Sequence, residues 1–302
     1  MTSSDEYILA NSASCVGIPV KPFNMGIDLH IIIEPENSPN APYFAAASSC
    51  IGSEHDRRPI MGVYYLNFAK MVVGKLHSYH YFSTFAHEFT HILGFSNSRF
   101  TDFVDPDRKQ LPKDQIIKEI TISGKKFWSI VLKEVVKFAR DYYGCPTIEG
   151  IPLEDGGSAG SAGSHWEKTF LPNEYMNPTI EYPGVISAFT FAVLKGSGWY
   201  KVNLEEAEHY DWGKDDGCEH FNICPKGGEY CKIEDLNEWA CTPDFKNKAI
   251  CSKGETFNPD CPVKRSNQHS FCTLNLPEEI KMSTTEEYGA HSRCFMWRKK
   301  GD

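Results

Sequence analysis

The stretch TFAHEFTHILGFSNS, residues 84–98, sets His87 and His91 four positions apart with a glutamate, Glu88, directly after the first. On a helix, positions i and i+4 project from one face, so both imidazoles can reach a single ion. Zinc in a hydrolase takes three protein ligands and keeps one position open. Glu88 falls on the adjoining flank, suited to take a proton from an attacking water rather than to hold the ion. The flanking residues STFA and ILGF are apolar, which argues against an ordinary solvated helix face.

Two histidines hold zinc poorly, so the spacing demands a third ligand. Gly94, three positions after His91, can take a positive φ and swing the chain back beneath the ion. In the compact form of this motif a histidine comes three residues after that glycine; here the position is Asn97. Either the third ligand comes from further on or the site is incomplete, and the downstream histidines are His165, His209, His220, His269 and His291. His165 stands out, because a Gly/Ser/Ala-rich loop ends on it and Met176 follows eleven residues later in a turn-like setting of Asn173, Asn177 and Pro178. A methionine under the ion, after the third histidine, is the Met-turn arrangement. His209 lies in the polar run EEAEHYDW and reads as a surface residue, whereas His30 alternates with apolar neighbours as a half-buried strand residue does.

Positioning these groups requires a sheet and a helix. Met25 to Pro35 and Arg58 to Met71 are rich in β-branched and aromatic residues and read as strands; Ala41 to Cys50 between them is ambiguous. A helix is expected over Ser83 to Leu93, with Ser83 as N-cap and Gly94 as its stop. A second is expected over Lys125 to Gly144, where Phe127, Ile130, Val131, Val135 and Phe138 recur as a core stripe. Glu154 to Lys168 reads as a flexible linker, Gly184 to Gly198 as a third helix, and the chain beyond Tyr210 as short turn-rich pieces between cysteines. The strand segment MGVYYLN is a candidate cleft edge, where an extended peptide could add as another strand.

A chain of 302 residues with 41% hydrophobic residues can bury a sizeable core. The net charge of −9 argues against nucleic acid as a partner. No apolar run approaches the roughly 20 residues that span a bilayer. Eight of the eleven cysteines lie from Cys218 onward without paired CxxC spacing, the pattern of a disulfide-stapled region in an oxidising compartment. The odd count leaves one cysteine outside any intrachain pairing. The acidic N-terminus does not read as a secretion signal, so a mature or trimmed form is expected.

HEFTHILGFS, followed after a long insertion by GSHWEKTFLPNEYM, resembles the leishmanolysin family of metzincin zinc endopeptidases. The likeness extends to CIGSEHDRRPIMGVYYLN, to FARDYYGCPTIEGIPLEDGG and to ISAFTFAVLKGSGWYKVNLEEAEHYDWGKDDGC, covering roughly Ala41 to Cys272. In that family an inserted segment delays the third ligand; here His165 lies 74 positions beyond His91. The resemblance implies one catalytic Zn2+ on His87, His91 and His165, Glu88 as general base, Met176 as the Met-turn methionine, and the pairs Cys15–Cys50 and Cys145–Cys218. The family's acidic residue before GWY is replaced here by the KGSG run, Lys195 to Gly198.

The fold this implies is α+β: a metzincin-type zinc peptidase with a mixed twisted sheet and an active-site helix, an inserted helical subdomain, and a disulfide-rich C-terminal region. The expected boundaries are a catalytic subdomain over 1–96, a central one with the third ligand and Met-turn over 97–217, and a cysteine-rich region over 218–302. The implied partners are protein or peptide substrates, with the chain a monomer in a secreted or cell-surface setting, peripherally attached if at all. Two rival functions remain at this stage, a catalytically silent adhesion or binding protein keeping a structural zinc, and a zinc hydrolase of non-peptide bonds. An intact Glu88 weighs against the first, since a structural site favours a fourth protein ligand over a base.

Overall fold

The computed structural model describes residues 14–15, 17–19, 28–41, 43–71, 78–157, 160–179, 184–222, 224, 230–242, 245–254, 257, 260–266, 272, 286–289 and 291–295. A short hairpin of β1 (Ser14–Cys15) and β2 (Ile18–Pro19) comes first. Strands β3 (His30–Glu36), β4 (Ala45–Gly52) and β5 (Pro59–Asn67) then form a mixed sheet in the order β3-β5-β4, with β3 parallel and β4 antiparallel to β5. The ambiguous segment is thus a strand, and it lies at an edge. Helix α1 (Ser78–Leu93) packs on this sheet. Gly62, in the middle of β5, lets it come close: a Cβ there would lie 2.5 Å from Ile92 Cγ2 and 3.1 Å from the Ser48 carbonyl oxygen. Ile92 is fully buried, so the residue beside His91 anchors the helix to the sheet.

After α1 come the short α2 (Asn97–Phe100), the hairpin β6 (Ile117–Ile122) and β7 (Lys125–Ile130), helix α3 (Lys133–Tyr143) and β8 (Ile151–Pro152), which extends the hairpin into a three-stranded sheet. Helix α4 (Ala188–Gly196) packs on α3. The cysteine-rich end holds β9 (Trp239–Cys241), β10 (Lys248–Ser252) and β11 (Val263–Arg265) in one antiparallel sheet. The largest core gathers Phe95, Trp166, Met176, Phe189 and Trp199 with the inner faces of α3, α4 and β7.

Several expectations need correction. The segment from Lys125 is not one helix: its first six residues are β7, and only Lys133–Tyr143 is helical. The reason is the turn before it. Ser123 and Gly124 both have positive φ, 49° and 84°, and close a two-residue hairpin that pairs Ile122 with Lys125. Phe127 then points in, Trp128 out at 52% exposure, and Ser129 in, the period of a strand. The stripe itself was legible, since Phe127, Ile130 and Val135 are buried.

Helix α1 begins at Ser78, so Ser83 is a buried mid-helix residue and not a cap. MGVYYLN belongs to β5, the central strand with a neighbour on each side, and so forms no cleft edge. The Gly/Ser/Ala loop is no slack linker in its described part, because Ser164, His165 and Trp166 are buried. Residues 25–27 of the first expected strand lie outside the described residues. The third helix is shorter than expected, starting after Ser187, whose hydroxyl caps the Phe189 N–H.

Five disulfides join Cys15 to Cys50, Cys145 to Cys218, Cys224 to Cys261, Cys231 to Cys251 and Cys241 to Cys294, with buried Cys272 standing outside them. Each such closure typically stabilises a fold by about 2–4 kcal/mol. Among the described residues, no helix is long and apolar enough to cross a membrane.

Candidate metal centre

His87 and His91 leave one face of α1 and meet tip to tip, Nε2 to Nε2, at 3.1 Å. Gly94 ends the helix with φ at 116°, a conformation that L side chains avoid. Its turn brings the Phe95 carbonyl back under the helix, where it accepts the His91 Nδ1–H at 2.7 Å. The turn is held from outside: the Tyr200 hydroxyl donates to the Leu93 carbonyl at 3.0 Å, and the Trp199 ring lies where a Cβ on Gly94 would sit, 2.7 Å away. The GWY segment noted in the sequence therefore supports the helix end.

The third histidine arrives on a ribbon. Leu153 and Trp166 pair across it, and the Glu154 N–H donates to the His165 carbonyl at 2.9 Å. Asn97, at the position where the compact motif has a histidine, docks this ribbon instead. Its backbone N–H donates to Ser164 Oγ at 3.1 Å, one residue before His165. His165 Nε2 then lies 3.2 Å from the Nε2 atoms of both His91 and His87.

The turn carrying Met176 runs against His87 and Trp166. The Tyr175 carbonyl accepts His87 Nδ1–H at 2.6 Å, and Trp166 N–H donates to the Met176 carbonyl at 3.1 Å. Met176 is fully buried. Glu174, also fully buried, organises this turn: it accepts from Ser187 Oγ and Thr190 Oγ1, each at 2.7 Å, and from the Met176 N–H at 2.5 Å. Thr190 Oγ1 in turn accepts Trp166 Nε1–H at 2.9 Å. One carboxylate thus ties α4, the Met176 turn and the ribbon beside His165. Burial pushes its pKa up to about 7 against the pull of these donors.

The geometry fits a tetrahedral metal. Zinc–nitrogen bonds of about 2.0–2.1 Å at tetrahedral angles separate the nitrogens by roughly 3.3–3.4 Å, and the three Nε2 atoms stand 3.1–3.2 Å apart. The tautomers agree. Each Nδ1–H has a backbone carbonyl, that of Tyr175, Phe95 or Ser161, so each Nε2 keeps its lone pair and all three face one point. Such lone pairs repel one another unless a cation lies between them. Burial lowers the pKa of His91 to about 4, and burial with the neighbouring rings lowers that of His87 well below the ordinary value and that of His165 to about 3. All three are neutral at pH 7, the form that binds metal.

Glu88 is buried on the flank of the centre, and burial raises its pKa to about 8. Its carboxylate accepts the backbone N–H of Ala47 on β4, which opposes that rise. Tyr64 lies close enough to feel its charge. The other histidines go elsewhere. His220 is buried, stacks on Tyr143 at 4.4 Å and bonds the Phe170 carbonyl, while His209 and His291 are exposed. His269 lies outside the described residues. Sequence reasoning missed the second layer, namely the Phe95, Ser161 and Tyr175 carbonyls, Glu174, and the Ala47 N–H. Of these only Glu174, two residues before Met176, left a side-chain signal.

Comparison with known proteins decides the family. The leishmanolysin family model matches residues 10–282. The chain belongs to the leishmanolysin family. Among relatives, the leishmanolysin-like peptidase of Drosophila melanogaster is 32% identical over 216 residues, 56% of this chain and 31% of that protein. The leishmanolysin homolog of Crithidia fasciculata is 27% identical over 248 residues, 78% of this chain and 35% of its own length. Leishmanolysin of Leishmania donovani is 33% identical over 156 residues, 51% of this chain and 23% of the relative. The match spans about a third or less of these relatives' own length. Membership of this metallopeptidase family accounts for the α+β architecture, the histidine triad able to hold a metal, and the disulfides.

Proposed function

We propose that this chain is a zinc-dependent endopeptidase, with His87, His91 and His165 as metal ligands, Glu88 as general base and Met176 as the Met-turn methionine. The observation that carries the reading is the convergence of three neutral Nε2 atoms at 3.1–3.2 Å beside a buried glutamate. Zinc bound there supplies Lewis acidity for the attacking water and the scissile carbonyl. The Glu88 carboxylate takes the proton from that water and passes it to the leaving amide nitrogen. A dication nearby would favour its ionised form, against the burial that raises its pKa.

The sheet supports one place for the substrate. β4 is an edge strand, and the Ala47 N–H that reaches Glu88 leaves its free side. An extended peptide adding to β4 therefore passes Glu88, which assigns to β4 the edge role that the sequence suggested for MGVYYLN. Five disulfides favour a secreted or cell-surface setting. A division into 1–96, 97–217 and 218–302 accords with one half of the centre on α1, the other on the insertion, and the cysteine-rich end beyond.

The test is digestion of an unfolded protein by the zinc-loaded chain beside Glu88→Ala. Cleavage by the parent and a loss of about 10²–10⁴ in rate in the variant is the expected result. A folded, zinc-bearing parent that cleaves nothing contradicts the reading and favours a binding protein with a structural zinc.

A further inference from the structure

Apart from the histidines, one other group of side chains among the described residues brings metal-ligating atoms together: Glu154, Asp155 and Glu167, whose carboxylate oxygens lie within 4.8 Å of one another. Glu154 and Glu167 are each 3% exposed. The sequence places them on the ribbon that carries His165, Glu154 one residue past Leu153 and Glu167 one residue past its partner Trp166.

Backbone amides already grip both carboxylates as acceptors. Gly156 N–H donates to Glu154 Oε1 at 2.8 Å, Lys168 N–H to Glu154 Oε2 at 3.4 Å, and Thr169 N–H to Glu167 Oε1 at 3.3 Å. Lys125 pairs with the half-exposed Asp155 at 2.9 Å and also feels the charges of Glu167 and Asp260. That leaves Glu167 Oε2 buried with no hydrogen-bond partner, next to the second buried carboxylate. An orphaned buried oxygen beside another carboxylate needs either a proton or a cation.

We propose that Glu154, Asp155 and Glu167 form a second cation site, for calcium, that fastens the two sides of the ribbon beside His165. The donors are all oxygens, which suit a hard cation and not zinc. Calcium binds oxygens at about 2.3–2.6 Å, so two donors to one ion stand at most about 5 Å apart, as these do. Lys125 sets one positive charge against the three carboxylates, which leaves a net charge that one Ca2+ matches. The ion gives Glu167 Oε2 its missing partner and links residues 153–155 to 166–168. This inference stands on the ribbon's own geometry, independent of whether the chain cleaves peptides.

The test is calorimetric titration of calcium into the zinc-loaded full chain, with the unfolding midpoint followed in parallel. The parent takes up one Ca2+ saturably at or below about 1 mM, and its midpoint rises. Glu167→Gln, nearly isosteric, weakens binding about tenfold or more. Asp155→Asn, at a half-exposed position that tolerates change, weakens it as well and serves if Glu167→Gln does not fold. No saturable uptake by the folded parent overturns the proposal, as does affinity unchanged in whichever of these variants folds.

Discussion

His87 and His91 reach their meeting point through four residues of one helix, whereas His165 reaches it from 74 positions away on a ribbon. The first half needs helical geometry and a glycine that turns the chain under His91. The second is held by contacts between distant segments: Asn97 to Ser164, Trp166 to Thr190, His87 to the Tyr175 carbonyl. Substitutions in the helix half therefore act where they fall, while those in the ribbon half reach the centre from residues that never touch it. Gly94 and Glu174 are the hinge of each half.

The contrast can be broken most sharply at the ligands. His165→Ala removes the ribbon's only contribution to the triad, and it is expected to abolish both zinc retention and hydrolysis, read by metal analysis beside a peptide assay. Glu88→Ala, in the helix half, is expected to keep zinc and to lose only rate.

Next in size is Gly94→Ala. The new Cβ meets Trp199 at 2.7 Å in a backbone with φ at 116°, so denaturant unfolding should show a loss of about 2–4 kcal/mol. In the other half, Glu174→Gln tests burial of a carboxyl. Its folded pKa of about 7 lies above the ordinary 4.5, so the stability linked to it is fully present below pH 4.5 and is lost as pH rises towards 7. The stability advantage of the parent over Glu174→Gln should shrink across that window by on the order of 3 kcal/mol. A constant difference from pH 4.5 to 7.5 would mean that Glu174 is ionised throughout.

The smallest effect is expected from Tyr175→Phe. It deletes the 3.0 Å bond between the Tyr175 and Thr90 hydroxyls, which links the two halves. Thr90 still donates to the Ala86 carbonyl at 2.8 Å, so the cost should be about 1 kcal/mol in thermal unfolding, with zinc retained.

How much of this was legible follows from the same division. The meeting of His87 and His91, the place of Glu88 beside them and the turn at Gly94 were readable because helix geometry is local and its spacing is written in consecutive residues. The convergence of His165 on that pair was readable from its surroundings, a Gly-rich approach and, eleven residues on, the Asn/Pro-rich turn that buries Met176. The carbonyls of Phe95, Ser161 and Tyr175 were not, because a backbone oxygen has no residue type. β7 was misread because Phe127, Ile130 and Val131 fit a helical period as well as a strand's, and the Ser123–Gly124 turn decided between them. MGVYYLN was misread as an edge because strand order in a sheet is a tertiary fact: only pairing reveals that it is central and that AAASSCIG lies at the edge.

The central claim is that both halves deliver their nitrogens to one ion. X-ray absorption at the zinc edge, on the metal-loaded parent and on His165→Ala, tests it most directly. The account predicts one zinc per chain with three imidazole nitrogens at about 2.0–2.1 Å and one lighter-shell oxygen in the parent, and loss of that site in the variant. A parent whose zinc shows sulfur ligands, or a His165→Ala chain with the same coordination, would contradict it.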